Sequence, residues 1–162
     1  MLDFETMLLR LVVAIVLGSI IGLEREFAGK AAGIRTDIMV AAGSAIFAMI
    51  SFTVPFIAGI SEEALINVLP DRVLANIVVG VGFLGAGIII KEGLHVRGLT
   101  TAATVWFAAV AGTLAGIGLI KFGFISTILL TFLLVILRKI DIYKLFGKVR
   151  TKEERSSYEE EQ

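Results

Sequence analysis

The chain contains no cysteine, which removes disulfides, thiolate metal sites and cysteine nucleophiles together. It also lacks a net charge, since 15 basic residues balance 15 acidic ones. Nothing in that balance calls for a nucleic acid or an acidic substrate as a partner, so the placement of the charges must carry the information. There are few of them. Charged residues make up 19% of the 162 positions, against 57% hydrophobic, and the mean hydropathy is +0.92. A water-soluble domain of this length is far less apolar. No small-residue cleavage site follows the first apolar run, which ends in Gly22-Leu23-Glu24-Arg25, so that run reads as a retained span rather than a removed leader.

What remains is a series of long apolar segments. A bilayer core about 30 Å thick needs roughly 20 helical residues. Four runs reach about that length: Met7 to Leu23, Ile38 to Ile60, Val73 to Ile90, and Gly98 to Leu137. The last is twice as long as one crossing needs, and Gly116-Ile117-Gly118-Leu119-Ile120-Lys121-Phe122-Gly123 supplies a turn and a lysine that can reach the interface. The expected fold class is therefore all-α, a polytopic membrane bundle of five transmembrane helices. Ser61 to Leu69 reads as a short interfacial helix with Ser61 as its cap, followed by Pro70-Asp71 at the start of the third span. Residues 1–140 form the expected transmembrane domain, and 141–162 a short charged tail that anchors against anionic headgroups.

Five spans put the termini on opposite sides, and the Lys and Arg count orients them. Arg25, Lys30, Arg35, Lys91, Arg97 and the basic tail fall on one side, while only Arg10, Arg72 and Lys121 fall on the other. The tail is expected in the cytoplasm and the amino terminus outside.

Glycine marks the helices. Gly80-Val81-Gly82-Phe83-Leu84-Gly85-Ala86-Gly87 matches the dinucleotide fingerprint in form, but it lies inside an apolar span with no strand before it. Its Gly80, Gly82, Gly85 and Gly87, with Gly18-x-x-x-Gly22 and Gly112-x-x-x-Gly116, are expected instead to let helix backbones approach one another within or between subunits.

Ionisable and polar residues at membrane depth are costly, and they gather in two places. At the inner end, Glu24, Arg25, Glu26, Lys30, Arg35, Thr36, Asp37 and Arg97 form a mixed-charge belt, with Thr100, Thr101 and Thr104 just inside the fourth span. Glu24, Glu26 and Asp37 offer oxygen ligands to a hydrated Mg²⁺, the one cofactor the residues bring forward, while Arg97 beside a helix start offers an anion cradle. The bland readings are a carboxylate–guanidinium network for Glu24 and Glu26, a helix cap for Thr36, and a first-turn position for Asp37. At the outer end, Arg72 and Asn76 lie one turn apart on a stripe that Gly80 continues, and Asn76 is expected to make an interhelical hydrogen bond. His95 has no second histidine to join and reads as a residue of the loop between the third and fourth spans, and no Ser-His-Asp set or phosphate loop is present, so catalysis has almost no support.

At these residues the chain resembles a known family. Gly18 to Glu26, Lys30 to Thr36, Arg72 to Gly87 and Val96 to Trp106 look like the successive signatures of the MgtC/SapB family, in the family's order. The resemblance implies a bacterial inner-membrane protein linked to magnesium homeostasis and, in intracellular pathogens, to survival in macrophages. It implies a regulator of other membrane proteins, the proton-translocating ATP synthase among them. Longer members carry a folded cytoplasmic domain after the last span, and here only the charged tail follows. The first expectation is a non-enzymatic regulator of the MgtC type, with the glycine faces pointing to a homodimer. Its rival is a transporter or channel for Mg²⁺ or another small solute. Transport requires a wet passage from the inner belt to Arg72 and Asn76, whereas a regulator has a closed bundle centre.

Overall fold

The computed structural model describes residues 2–57, 59, 71–93 and 95–140. Five helices are found among them: α1 (Phe4–Phe27), α2 (Ile34–Ile57), α3 (Asp71–Ile88), α4 (Leu99–Ile117) and α5 (Ile120–Lys139). The segment read as an interfacial helix, Ser61 to Leu69, and the tail at 141–162 lie outside the described residues. Four of the helices, α1, α2, α4 and α5, are long and apolar enough to cross a membrane. The fifth, α3, is a shorter apolar helix over Arg72–Ile88.

Local chemistry sets the helix ends. Asp3 caps α1 by accepting the Thr6 N–H at 3.1 Å, and the Thr6 hydroxyl donates back to it at 2.7 Å. These two bonds favour the ionised carboxyl and hold Asp3 below the usual carboxylate range. At the other end Gly29, with φ 63°, lets Lys30 N–H reach the Arg25 carbonyl and close the helix. The same device separates α4 from α5. Gly118 has φ 92°, its N–H bonds the Ala115 carbonyl, and Leu119 N–H bonds the Leu114 carbonyl at 2.8 Å. The break falls inside the glycine-rich interval where the sequence places it.

Two local expectations are corrected. First, α2 begins at Ile34, so Thr36 lies within the helix and cannot be its cap; the Glu26 carboxylate accepts the Ile34 N–H at 3.2 Å instead. Second, the inner connection between α3 and α4 is not plain loop but an antiparallel hairpin, β1 (Ile90–Glu92) against β2 (His95–Arg97), with Lys91 opposite Val96. Both strands are exposed throughout, so no alternation of apolar and polar residues marks them in advance.

The chain divides into two units, Met1–Leu129 and Leu130–Gln162. In the first, α1, α2 and α4 pack against one another, and α3 lies against α4 and, more thinly, α2. Alanine dominates the core: Ala14, Ala45, Ala108, Ala111 and Ala115 surround Leu17 and Ile21. A second cluster joins Ala32 of the inner connection to Val81, Val105 and Ala109. Small side chains matter here because lipid tails are as apolar as any core residue, so helices are held by close packing rather than by escape from water. Gly112 and Gly116 show how close. A Cβ on Gly112 would collide with the Ala41 carbonyl, and one on Gly116 would stand 2.5 Å from the Ala45 carbonyl oxygen. In the second unit the described residues are the end of α5, whose last turn carries Arg138 and Lys139.

Candidate functional site

The inner ends of α1 and α2 are brought together by two glycines. A Cβ on Gly22 would collide with Ile34, and one on Gly18 would meet the Asp37 carbonyl oxygen at 2.6 Å. This contact buries Asp37, in the first turn of α2, to 0% exposure. Among the described residues, neither carboxylate oxygen of Asp37 has a hydrogen-bond partner. Arg25, 3% exposed, donates through Nη1 to Glu24 Oε2 at 3.3 Å and leaves Nε and Nη2 without partners. Glu24, Arg25 and Asp37 are thus all buried, where α1 ends and α2 begins. Isolated charges there would be prohibitively costly, and their mutual attraction offsets part of that cost.

The remaining belt residues disperse. Thr101 and Thr104 are buried on α4, where the Thr104 hydroxyl donates to the Thr101 carbonyl at 2.9 Å. Glu26, Lys30, Arg35, Thr36, Arg97 and Thr100 are exposed. Among the described residues, no three His, Asp or Glu side chains form a group that could hold a metal ion. Glu24, Glu26 and Asp37 therefore do not fit the Mg²⁺ site drawn from the sequence: Glu24 faces Arg25 and Glu26 caps α2. The hairpin carries Arg97 at an exposed strand position, and the helix start beside it has no side-chain cap.

Arg72 and Asn76 are exposed on α3. The interhelical hydrogen bond expected of Asn76 is not made with any described residue. Instead Asn76 lines a groove of about 620 Å³ between α2 and α3, with Gly43, Ser44, Phe47, Gly80 and Leu84 in its walls. Smaller cavities lie between α1 and α2, about 290 Å³, and between α3 and α4, about 190 Å³. Among the described residues, none of the three has a charged side chain in its wall.

One residue counted in the sequence only for its charge has a structural role. Arg10 reaches from α1 to donate Nη1 to the Gly116 carbonyl at 2.7 Å, at the carboxyl end of α4. A cation there meets both an unpaired carbonyl and the negative end of the helix dipole. The signal was an arginine set one turn inside an apolar run.

The model of the MgtC family matches residues 11–143, most of the chain and every candidate position above. The chain belongs to the MgtC family. It is 46% identical over 125 residues to Protein MgtC of Brucella abortus (strain 2308), covering 77% of this chain and 48% of that protein. It is 42% identical over 132 residues to Protein MgtC of Salmonella typhimurium (strain LT2), covering 82% of this chain and 52% of that one. The chain thus spans about half the length of the curated relatives it matches. No solved structure matches it. Family membership and the four long apolar helices together make this a multi-pass membrane protein.

Proposed function

We propose that this MgtC-family chain is a non-enzymatic protein of the bacterial inner membrane that acts in magnesium-linked adaptation by contacting other membrane proteins through its helices. In this reading α3 is the fifth span, the amino terminus lies outside, and the partners include a second copy and the proton-translocating ATP synthase.

The observation that carries the reading is the packing of α2. Between the buried Arg25–Asp37 end and the Arg10–Gly116 end, α2 is pressed on one side by Gly18 and Gly22 of α1 and on another by Gly112 and Gly116 of α4. Backbones this close leave no room for a hydrated ion between α1, α2 and α4. The groove that reaches Asn76 runs along the outside of that core, and its wall is apolar apart from Ser44 and Asn76. A dry wall of this kind gives a cation no ligands to replace its water. Transport of Mg²⁺, the rival reading, would need such ligands along the whole path.

Flux into liposomes containing the purified chain tests the proposal, with Asp37→Ala and Glu24→Ala as comparisons. The expected result is Mg²⁺ entry no faster than into empty liposomes for all three proteins. Saturable entry by the native chain, lost in both variants while they remain folded and inserted, would make it a transporter.

A further inference from the structure

The groove between α2 and α3, about 620 Å³, is larger than the cavities between α1 and α2 and between α3 and α4. Inside the described helices, Gly18, Gly22, Gly112, Gly116 and Gly123 all face a neighbouring helix closely enough that a Cβ would crowd it. Gly43, Gly80, Gly82 and Gly87 face open space. Two of the open ones, Gly43 on α2 and Gly80 on α3, stand in opposite walls of the one groove.

The groove also holds unspent hydrogen-bonding groups. Ser44 is 5% exposed and lines the groove, and its hydroxyl makes no hydrogen bond with any described residue. Other buried hydroxyls on the same helix, those of Ser51 and Thr53, bond back to the carbonyls of Ala48 and Met49. Asn76, on the facing wall, adds an amide with two donors and an acceptor oxygen. Acyl chains satisfy none of these groups, and an unsatisfied polar group at this depth is costly.

We infer that this groove is the interface between two copies of the chain, in which α3 of each copy lies along the groove of the other. The inference rests on the reading that the protein works through helix contacts in the membrane. Three features select a second copy as the occupant. A two-fold contact uses the same patch on both sides, so the patch must carry both a projection and a hollow. Here Phe83, 80% exposed, and Val79, 70% exposed, project from α3 beside the glycine-lined hollow. Two copies inserted with the same topology hold their Asn76 amides at the same depth, and an amide can donate to and accept from its own kind. Among the described residues the groove wall contains no charge, so pairing it with itself brings no like charges together in the bilayer; Arg72 stands outside it, in the first turn of α3.

The absence of native cysteine makes the test direct. Val79→Cys, Phe83→Cys and, on α5, Ile125→Cys are made singly in the full chain and oxidised in native membranes. A disulfide-linked dimer from position 79 or 83, about ten-fold above that from position 125, is expected. A Cβ at Gly80 meets nothing within 4 Å of its own subunit, so Gly80→Leu enters the hollow and should raise the dimer dissociation constant in lipid about ten-fold or more while the monomer's thermal unfolding stays in place. Equal cross-linking from α5, no cross-link from α3, adducts only with another protein, or an unchanged dimer in Gly80→Leu would each overturn the interface. Flux measured in the same vesicles separates the two claims. Flux with an intact α3 dimer would refute the regulator reading alone, and neither flux nor dimer would refute the interface alone.

Discussion

The glycines of α1 and α4 and three of the four on α3 look alike in sequence and behave in opposite ways. Gly18, Gly22, Gly112 and Gly116 press against the backbone of α2, whereas Gly80, Gly82 and Gly87 meet nothing within van der Waals reach. A small residue at helical spacing permits close approach but does not say what approaches. The contrast with α5 sharpens the point. Up to Leu129, α5 turns Phe122, Ile125, Ile128 and Leu129 outward, large side chains suited to lipid. The open side of α3 instead combines glycine with an asparagine, a surface that lipid fits poorly.

The largest effect that can test this contrast comes from adding bulk to the two kinds of glycine. Gly112→Leu drives a side chain into the Ala41 carbonyl and should prevent a stable bundle, costing about 3 kcal/mol or more. Gly82→Leu, in open space, should stay within about 0.5 kcal/mol of the native protein. Unfolding of both variants in lipid or mild detergent gives the comparison. Similar losses would erase the distinction between the two regions.

Next in size is the buried end of α1 and α2, where Asp37 and Arg25 are both almost wholly removed from solvent and carry opposite charges. Arg25→Ala should cost about 3–5 kcal/mol, because it leaves a carboxylate buried and unpaired. Adding Asp37→Asn should recover a large part of that loss. A double variant no more stable than Arg25→Ala would mean that the two residues are not coupled.

The five helices, four of them long and apolar enough to cross a membrane, were legible in the sequence because hydropathy over some twenty residues leaves few alternatives. The α4–α5 break was legible too, since Gly118 takes a left-handed conformation within a run too long for one crossing. The inner hairpin was not. Three-residue strands with both faces exposed carry no burial pattern, and only the turn at Gly93, with φ 59°, hints at them. The candidate site was half legible: charged residues at a span end announce a polar belt, but burial separates Asp37 and Arg25 from Lys30 and Arg35, and burial depends on which helix Gly18 and Gly22 meet. Arg10 escaped notice for a similar reason, since its acceptor is a carbonyl 106 residues away.

Smaller effects probe the ends of the core. Gly118→Ala forces a Cβ into a left-handed conformation beside the Arg10 guanidinium and should cost about 1–2 kcal/mol. Measured by the same unfolding assay, no change there would argue against the turn as a fixed feature. The smallest effect belongs to the Asp3 cap. Because hydrogen bonds from Thr6 lower its proton affinity in the folded state, its contribution is fully present above the ordinary carboxylate pKa and is lost as pH falls through the lowered value. Asp3→Ala should therefore speed amide exchange at Thr6 at neutral pH, with the difference from the native chain closing under strongly acidic conditions.

The central claim is that the middle of the bundle is closed. Amide hydrogen exchange of the native chain in lipid tests it without any substitution, at Ala41, Ala45 and Ala48 of α2 and at Ala108, Ala111 and Ala115 of α4, all of them buried. The account predicts that these amides stay protected long after those of the exposed hairpin at Ile90–Arg97 have exchanged. Exchange at both helices as fast as at the hairpin would place water through the centre of the bundle and contradict it.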